Sequence, residues 1–469
     1  MASFFSEKAR KLLRGQRETV DELRGKKSEV RTKNAELRTE KSELRTKNEG
    51  LRELKGCVWF HAASVGEFEQ ARPIIERIVQ SQKSKVDPSA SSGASQGRKI
   101  LVTFFSPSGY EMRKDYELAD GVYYLPFATR RNARRFLEAV QPSMAVFVKY
   151  EYWPAYLKEL KKRNITTYII AALFREDQLF FRWYGGWYRK LLRCFTTLFV
   201  QDERSRELLA RYGIENVVVA GDTRFDRVVK ILQDKREIPQ LMRFADGNGY
   251  GNGYSLQVTG YGVQDSTKII VAGSTWPKDE ALLARYMEER PNVKLVLVPH
   301  ELTAQHLHYI FNLFQGRLVR FSEATLMNVN TNRVLLIDKM GMLSLLYRYG
   351  HVAYIGGGFG AGIHNTLEAA VYSKPVLFGP RYHKFREAED LAECGGGFPV
   401  HDYAMLEATL DEVLAHYDEY GRNAGEYVQS ETGAVNKIYE RLELEDSPFR
   451  RKQVSPLSGD TSGLRVTGY

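Results

Sequence analysis

The chain has 469 residues, of which 43% are hydrophobic and 12% aromatic, with a net charge of +10 and a pI near 9.2. This length exceeds what a single core usually supports, so we expect two domains. The three cysteines, Cys57, Cys194 and Cys394, fit no metal-ligand or redox spacing, which is typical of a reducing compartment. No stretch reaches the ~18 apolar residues of a membrane-spanning helix, and no signal-peptide pattern is present. The positive charge indicates an anionic partner (nucleic acid, a phosphorylated substrate or a membrane surface), with simple solubility as the alternative.

Residues 1–55 are basic and contain a seven-residue repeat. The first fourteen residues place apolar side chains at helical spacing among basic ones, a pattern that suits an acidic lipid surface. From Ser28 onward the repeat supplies one apolar residue per heptad, at Val30, Leu37, Leu44 and Leu51. A coiled coil needs two such positions, so the repeat predicts a solvated helix or a low-complexity insertion without a catalytic role.

The body of the chain alternates strand-like and helix-like segments. A strand at 58–62, a helix at 67–80, a polar loop at 81–97 and a strand at 99–105 come first. Such alternation predicts a parallel sheet with helices on both faces. Further buried runs occur at 144–148, 167–171, 198–200 and 217–220, and then, after a Gly- and Asn-rich stretch at 246–264, at 268–273, 293–298, 334–338, 352–355 and 375–378.

The resulting fold class is α/β, with two doubly wound Rossmann-like domains that face each other across a cleft. Ligands are expected in that cleft, beyond the carboxyl ends of the strands. The predicted boundaries are 1–55 for the basic segment, 56–235 for the N-terminal domain, 236–266 for a linker or insertion, 267–445 for the C-terminal domain and 446–469 for a flexible tail.

A glycine-rich loop between a predicted strand and a predicted helix is the most informative segment. Its glycines let the backbone approach a ligand, and the following helix N-terminus favours an anion. Asn365 and Glu368 lie three residues apart, so the carboxylate could accept bonds from hydroxyls such as a ribose diol. A tight turn with a capping Asn is the alternative, but the His-Asn-x-x-Glu sequence favours a ligand site. The candidate ligand-binding residues here are Gly360, Gly362, Asn365, Thr366, Leu367 and Glu368.

Three loops of the predicted N-terminal domain carry charged residues after strands. Glu67 begins a helix, where it can act as a general base or simply stabilise the helix terminus. Glu151 lies near Lys149 and two aromatic residues, which suits a sugar or polyol or, alternatively, a buried ion pair. Arg224 can contact an anion or pair with a neighbouring aspartate.

Three loops of the predicted C-terminal domain complete the candidate site. Together with the glycine-rich loop they form a set suited to a nucleotide. The sequence has no Walker lysine motif, which argues against a P-loop NTPase. It also has no Asp-x-Asp pair to carry a divalent metal against a diphosphate, so no metal site is predicted. The residues concerned are Ser274 and Thr275, then Pro299 and His300, then Met340, Gly341 and Met342.

Taken together, the segments 61–67, 149–154, 221–226, 273–275 and 356–370 resemble the 3-deoxy-D-manno-octulosonic acid (Kdo) transferases of Gram-negative bacteria. The resemblance covers roughly residues 56–440. It implies a GT-B glycosyltransferase of lipopolysaccharide biosynthesis that moves Kdo from CMP-Kdo to the lipid A precursor, with inversion. It further implies no cofactor, no metal in catalysis, no nucleic-acid partner, and work at an anionic membrane surface as a peripheral protein of the inner membrane's cytoplasmic face.

The resemblance also implies roles for individual residues. Glu67 takes the place of the general base, and Glu151 and Arg224 take the places of residues that stabilise the transition state. The loops at 299–300, 340–342 and 365–368 fall where the family binds CMP. Two departures are that His300 stands where many members have Arg, and that Ile363 replaces the second Gly of a Gly-Gly-His-Asn motif.

Two other hypotheses remain open at the level of sequence. One is another GT-B sugar-nucleotide enzyme, such as a UDP-dependent hexosyltransferase or an epimerase. The other is a non-enzymatic basic protein that uses the heptad repeat to bind a partner, against which Glu67 and the His-Asn-x-x-Glu sequence argue.

Overall fold

The computed structural model describes residues 2–24, 50–85, 97–245 and 267–445. The described chain divides into two compact units, with boundaries after Arg224 and before Gly433. The first unit therefore includes the last described helix as well as the N-terminal part. Of the predicted heptad positions, Val30, Leu37 and Leu44 lie outside the described residues, as do the Gly- and Asn-rich stretch at 246–264 and the tail at 446–469. Leu51, predicted to be on a solvated helix, is instead buried in the core of the first unit, because its side chain packs there with other apolar residues.

The first unit is built on a seven-stranded, fully parallel sheet with strand order β3-β2-β1-β4-β5-β6-β7. Its strands are buried on both faces because alternate residues enter different cores. Trp59 packs with Leu101 and Phe147 on one face, whereas Phe60 packs with Ile74 on the other. The strands are β1 (Val58–Ala62), β2 (Ile100–Phe104), β3 (Gly121–Tyr124), β4 (Met144–Val148), β5 (Thr166–Ala172), β6 (Thr197–Val200) and β7 (Val217–Val219).

Helices cover both faces of this sheet. They are Ala2–Arg24, Val65–Lys85, Pro107–Arg113, Arg130–Val140, Pro154–Lys162, Gly186–Leu192, Glu203–Ala210 and, from the far end of the chain, Ala434–Glu445. The helix Thr223–Ile231 contains the first boundary between the units.

The second unit repeats the plan with a second parallel sheet of order β10-β11-β9-β8-β12-β13-β14. Its strands are β8 (Lys268–Thr275), β9 (Val293–Pro299), β10 (Leu318–Arg320), β11 (Val334–Leu336), β12 (Val352–Ile355), β13 (Val376–Phe378) and β14 (Gly397–Pro399). Its helices are Pro239–Ala245, Pro277–Glu289, Ala304–Leu313, Leu343–Leu346, Leu367–Ala370, Arg386–Glu393, Tyr403–Ala415 and Tyr417–Ser430.

These sheets confirm the predicted fold class of two doubly wound α/β domains. The domain boundaries differ from those expected at 235 and 445. Leu241 and Phe244, expected in the linker, pack with Val296 in the core of the second unit. Ile438 and Leu442, expected in the C-terminal domain, pack instead in the first-unit core. The burial of apolar side chains, and not the order along the chain, decides to which unit a helix belongs. The last helix therefore packs in the first unit.

Candidate functional site

In each sheet the strand order reverses direction at one position, and several of the predicted residues lie beside it. In the first sheet the reversal falls between β1 and β4, and in the second between β8 and β12. Open parallel sheets bind ligands beyond the carboxyl ends of the strands at this point. Glu67 and Glu151 follow β1 and β4, while Ser274 lies at the end of β8 itself and the glycine-rich loop follows β12.

Glu67 closes the first turn of the helix Val65–Lys85. Its Oε2 atom accepts hydrogen bonds from the backbone N–H groups of Ala63 (2.6 Å) and Ser64 (3.2 Å). In return the Ser64 hydroxyl oxygen accepts from the Glu67 backbone N–H at 3.4 Å, which completes a capping box. The helix-stabilising role that the sequence offers as the alternative is therefore present. The other oxygen, Oε1, takes part in none of these bonds.

The electrostatic setting of Glu67 adds a property that a capping residue does not need. Burial, and then the nearby negative charge of Glu151, raise the pKa of Glu67 from 4.5 to about 7. The N–H groups of Ala63 and Ser64 and the charge of Lys149 act in the opposite direction and are outweighed. A carboxylate that titrates near neutral pH is matched to the work of a general base.

Glu151 is buried and is held by two ring N–H groups. Its Oε2 atom lies 3.0 Å from Nε2 of His61 and accepts from the indole N–H of Trp153. His61 is itself fully buried in β1, and its Nδ1 lies 2.9 Å from the hydroxyl of Thr103. The Trp59 indole N–H donates to that same hydroxyl oxygen at 2.8 Å. A chain of hydrogen-bonded side chains thus runs from the core to Glu151, which together with Glu67 we call the acidic cluster.

The Trp59 indole can only donate to the Thr103 hydroxyl oxygen. The Thr103 hydroxyl proton has two acceptors in reach, Nδ1 of His61 at 2.9 Å and the Phe60 carbonyl oxygen at 3.4 Å, and Nδ1 is the nearer. Nε2–H then donates to Glu151. The Thr103 carbonyl oxygen lies 3.1 Å from Nδ1, so a doubly protonated ring would also find an acceptor. In both arrangements His61 donates to Glu151 and orients its carboxyl group. The role of His61 is absent from the sequence prediction, although the residue lies in a predicted segment.

Arg224 pairs with Asp222. The Arg224 Nε and backbone N–H both donate to the carboxylate, at 2.8 and 2.9 Å, and Gln70 donates to Asp222 from the neighbouring helix at 3.3 Å. Burial alone would disfavour the charged carboxylate, but the charge and hydrogen bonds of Arg224 lower the pKa of Asp222. Of the two possibilities at sequence level, the aspartate pair is present. It fixes the guanidinium near Lys149, whose charge also acts on Asp222.

In the second unit a buried aspartate that the sequence analysis does not single out organises the loops. Asp279 accepts from the backbone N–H of Trp276 (2.9 Å) and of Gly357 (3.0 Å), and from the hydroxyl of Tyr354 (2.8 Å). It therefore ties the loop after β8 to the glycine-rich loop after β12. An acidic residue in the first turn of a helix, two residues after Pro277, is a common capping signal. The local sequence therefore does not reveal that Asp279 also binds the N–H of Gly357.

Three aromatic rings form a stack across these loops. The ring of Trp276 lies 4.9 Å from that of His300, which lies 4.4 Å from that of His364. Burial, and then the neighbouring His300, lower the pKa of His364. Pro299 pairs with Thr275 in the sheet register and sets His300 at the start of the loop. The stack brings together residues from three loops that the sequence places on separate segments.

Asn365 and Glu368 are in contact, with the Asn365 amide donating to Glu368 Oε1 at 3.0 Å. Asn365 Oδ1 accepts the backbone N–H of Leu367, so Asn365 also caps the turn. The helix that follows, Leu367–Ala370, has only four residues. Thr366 and Leu367 are fully buried and the Leu367 N–H is bonded to Asn365, so neither of these two predicted residues is open to a ligand.

Thr275 requires a correction. The sequence analysis places it among the candidate ligand-binding residues, but its hydroxyl donates to Glu280 at 2.9 Å and the residue is fully buried. Glu280 is held in turn by Nε2 of His306 at 2.9 Å. The side chain of Thr275 therefore supports the loop, while Ser274 at φ +54 begins the turn.

The glycines serve packing as much as access. A Cβ on Gly356 would lie 2.3 Å from the Ser274 carbonyl oxygen, and one on Gly358 would lie 2.6 Å from Gly379. These two glycines allow neighbouring loops to contact each other, and they do not make room for a ligand. Gly360 and Gly362 are more open, with the nearest atom to a Cβ at 3.4 Å and 3.1 Å respectively. The Met340–Met342 turn, in which Gly341 has φ +83, leads directly to Leu343, which lies against Gly273 at the end of β8.

The architecture is shared with known sugar-nucleotide enzymes. The UDP-GlcNAc 2-epimerase from Neisseria meningitidis bound to UDP-GlcNAc aligns with a TM-score of 0.54 and 16% identity, covering 83% of this chain and 100% of that one. Two parallel α/β domains with loops at the strand switch points define the GT-B fold. At this identity the likeness shows the fold alone.

The sequence relatives define the protein more closely. The family model described as 3-deoxy-D-manno-octulosonic-acid transferase (Kdo transferase) matches residues 32–227. The 3-deoxy-D-manno-octulosonic acid transferase of Aquifex aeolicus is 25% identical over 376 residues, covering 78% of this chain and 88% of the relative. That of Haemophilus influenzae is 29% identical over 408 residues, covering 82% and 86%. The chain is therefore similar to Kdo transferases, both over the residues that the family model matches and along most of its length.

Proposed function

We propose that the protein transfers Kdo from CMP-Kdo to the lipid A precursor, lipid IVA, with inversion at the anomeric carbon. The observation that carries the proposal is the Glu67 carboxylate, whose pKa of about 7 suits proton abstraction near neutral pH, beside Glu151 and Lys149. The names of the two relatives support the transferred sugar.

In the proposed reaction Glu67 takes the proton of the acceptor hydroxyl while the oxygen of that hydroxyl forms a bond to the anomeric carbon of Kdo. The bond from that carbon to the phosphate oxygen breaks, and CMP leaves with the electron pair. Glu151 and Arg224 stabilise the transition state, in which charge develops on both the sugar and the leaving phosphate. His61 keeps Glu151 oriented through the 3.0 Å contact.

The second unit binds the nucleotide in this proposal. Glu368, steadied by Asn365, accepts bonds from the ribose hydroxyls. The glycine-rich loop and the stacked rings of His300 and His364 lie beside the phosphate. The loops at Ser274, Pro299 and Met340–Met342 complete the site. Catalysis uses no metal, so transfer should be unchanged in excess EDTA, and a loss of activity restored by a divalent metal would contradict this part of the proposal.

The proposal includes a place of work: the cytoplasmic face of the inner membrane, as a peripheral protein. The acceptor is an anionic lipid and the donor is a water-soluble nucleotide. Among the described residues no helix is long and apolar enough to cross a membrane. The net charge of +10 attracts the protein to acidic lipid.

The test is incubation of the protein with lipid IVA and either CMP-Kdo or UDP-hexoses. Transfer of Kdo to the lipid, seen by mass spectrometry as a Kdo-sized increment with release of CMP, is the expected result. Consumption of a UDP-sugar in place of CMP-Kdo would instead identify the other GT-B activity considered from the sequence.

A further inference from the structure

The segment after β5 carries an unusual set of aromatic residues. Between 178 and 201 the sequence contains Arg182, Arg189, Lys190 and Arg193 and no acidic residue. The segment forms a compact turn followed by the helix Gly186–Leu192. Its aromatic side chains divide into an inner set that is buried and an outer set that is exposed.

The inner set fixes the segment beside the acidic cluster. Phe180 and Phe181 are buried, and both pack on Phe174 with ring centroids about 6 Å apart. The ring of Phe180 also lies 4.8 Å from that of Tyr152, the residue that follows Glu151. The segment is therefore anchored at the same edge of the sheet as Glu151, directly on the neighbouring residue.

The turn is closed by one backbone and one side-chain hydrogen bond. The Gly185 N–H donates to the Arg182 carbonyl at 2.8 Å, and the Arg189 guanidinium donates to the Phe180 carbonyl at 2.7 Å. A Cβ on Gly185 would lie 2.3 Å from the Leu179 carbonyl oxygen, so the turn requires glycine there. The outer side chains are thus presented from a fixed support.

We call the outer set the aromatic surface: Leu179, Trp183, Tyr184 and Trp187. Trp183 is 93% exposed and the other three are between 48% and 52% exposed. Aromatic side chains gain stability by burial, so the described fold alone gives no reason to leave two tryptophans in water. Trp and Tyr are the residues that concentrate at membrane–water interfaces, where one end of the ring system is apolar and the other is wet.

The charged side chains between 178 and 201 are all basic, whereas the exposed Glu176 and Asp177 lie just before this segment and Glu176 pairs with Arg211 at 3.2 Å. Arg182 and Lys190 are exposed within the segment, and the Lys158 ammonium lies 5.2 Å from the Trp187 ring. The exposed arginines of the helix Arg130–Val140 are a weaker candidate for contact with an anionic lipid surface, because Arg134 pairs with Glu138 of the same helix at 2.8 Å. Basic residues around exposed tryptophans complement an anionic lipid surface.

We propose that the aromatic surface inserts into the interface of an anionic bilayer and presents the edge of the sheet that carries Glu151 to the membrane. This inference rests on the proposed function, since it supplies the route by which a lipid acceptor reaches the acidic cluster. It assigns to Trp183 and Trp187 a role in recruitment and none in the chemical step.

The test uses the full chain and vesicles of phosphatidylcholine with or without phosphatidylglycerol. The double variant Trp183→Ser/Trp187→Ser should bind the anionic vesicles at least about tenfold more weakly than the wild type, ~1.4 kcal/mol. The matched control is Met327→Ser, which removes a side chain that is 89% exposed in the second unit, and it should bind as the wild type does. Equal vesicle binding by the double variant and the wild type would overturn the proposal.

A second readout guards against a folding artefact. Brominated lipids should quench part of the wild-type tryptophan fluorescence, and this part should disappear in the double variant, whose unfolding midpoint should match the wild type because both side chains are exposed. Absence of quenching in wild-type protein bound to vesicles would overturn the insertion.

Transfer to a detergent-dispersed acceptor separates this inference from the proposed function. The double variant should keep wild-type transfer there and lose it with acceptor embedded in vesicles. If the wild type transfers no Kdo in detergent, the proposed function fails, while the vesicle-binding result still decides the role of the aromatic surface.

Discussion

The substitution Glu67→Gln separates the two tasks that the Glu67 side chain performs. A glutamine at the third position of the helix can still accept the backbone N–H groups of Ala63 and Ser64, because a capping box accepts either residue. It cannot take a proton from a hydroxyl. The variant should therefore keep the fold and the helix start and lose only the base.

The expected loss of rate is ~100- to 10,000-fold, the usual contribution of a positioned general base. CMP affinity should be unchanged, because the proposed nucleotide-binding residues belong to the second unit. In the wild type, transfer should rise with pH through about 7 as Glu67 ionises. This step should be absent from the residual activity of the variant.

Stability should change in the direction opposite to activity. The folded protein holds the proton of Glu67 more tightly than the unfolded chain, so the free energy of unfolding falls as pH rises from about 4.5 to about 7. The rise in pKa corresponds to ~3 kcal/mol in a dry site and ~1–2 kcal/mol for a half-buried side chain that water screens. Above pH 7, Glu67→Gln should therefore be about 1–2 kcal/mol more stable than the wild type.

The assays are Kdo transfer across pH 5.5 to 9, in roughly half-unit steps around the pKa of Glu67, and urea unfolding of both proteins at pH 5 and pH 8. Wild-type turnover in the variant would remove Glu67 from the mechanism. A variant that is less stable than the wild type at pH 8 would show that the fold does not disfavour the Glu67 charge, and the reasoning from burial would then be wrong.

Three further experiments test the supports of the site. His61→Leu removes a ring donor from buried Glu151 and should lower the free energy of unfolding by ~1–3 kcal/mol in urea; an unchanged midpoint would contradict the hydrogen-bond chain. Arg224→Ala leaves Asp222 buried without its cation and should cost ~3–5 kcal/mol, most of which Asp222→Asn in the same protein should restore. In the wild type this pair's contribution should be lost as pH falls through the lowered pKa of Asp222. Glu368→Ala should weaken CMP binding in calorimetry by ~1.5–3 kcal/mol and Glu368→Gln by less, and equal affinity in all three proteins would exclude a ribose contact.

The sequence was sufficient for the fold because parallel strands buried on both faces are continuous apolar runs. All the strands predicted from such runs are present, with small shifts at their ends. The strands it missed, Gly121–Tyr124, Leu318–Arg320 and Gly397–Pro399, are three or four residues long and lie at or next to sheet edges. A short edge strand has little apolar pattern of its own, because its pairing with the neighbouring strand, and not its own sequence, makes it a strand.

The candidate site was predictable where a residue follows a strand in the chain, and not where its role depends on a distant partner. Glu67 and Glu151 follow recognisable strands. The contact of His61 with Glu151 joins residues 90 positions apart, and the contact of Asp279 with Gly357 joins residues 78 apart. Such contacts exist only once the order of strands in the sheet is known. Thr275 shows the reverse case, since a hydroxyl at a strand end is as suited to an internal bond with Glu280 as to a ligand.

The strand order also explains why one edge of the first unit can combine catalysis with recruitment. β1 and β4 are neighbours although two strands separate them in the chain, so Glu67 and Glu151 meet at the switch point. β5 lies next to β4, and the segment that follows it packs on Tyr152. In the proposed function, a lipid that arrives at the aromatic surface therefore needs to pass only the width of neighbouring strands, ~5 Å each, to bring its hydroxyl to the acidic cluster. A short path of this kind favours an acceptor that keeps its acyl chains in the bilayer while its sugar reaches the base.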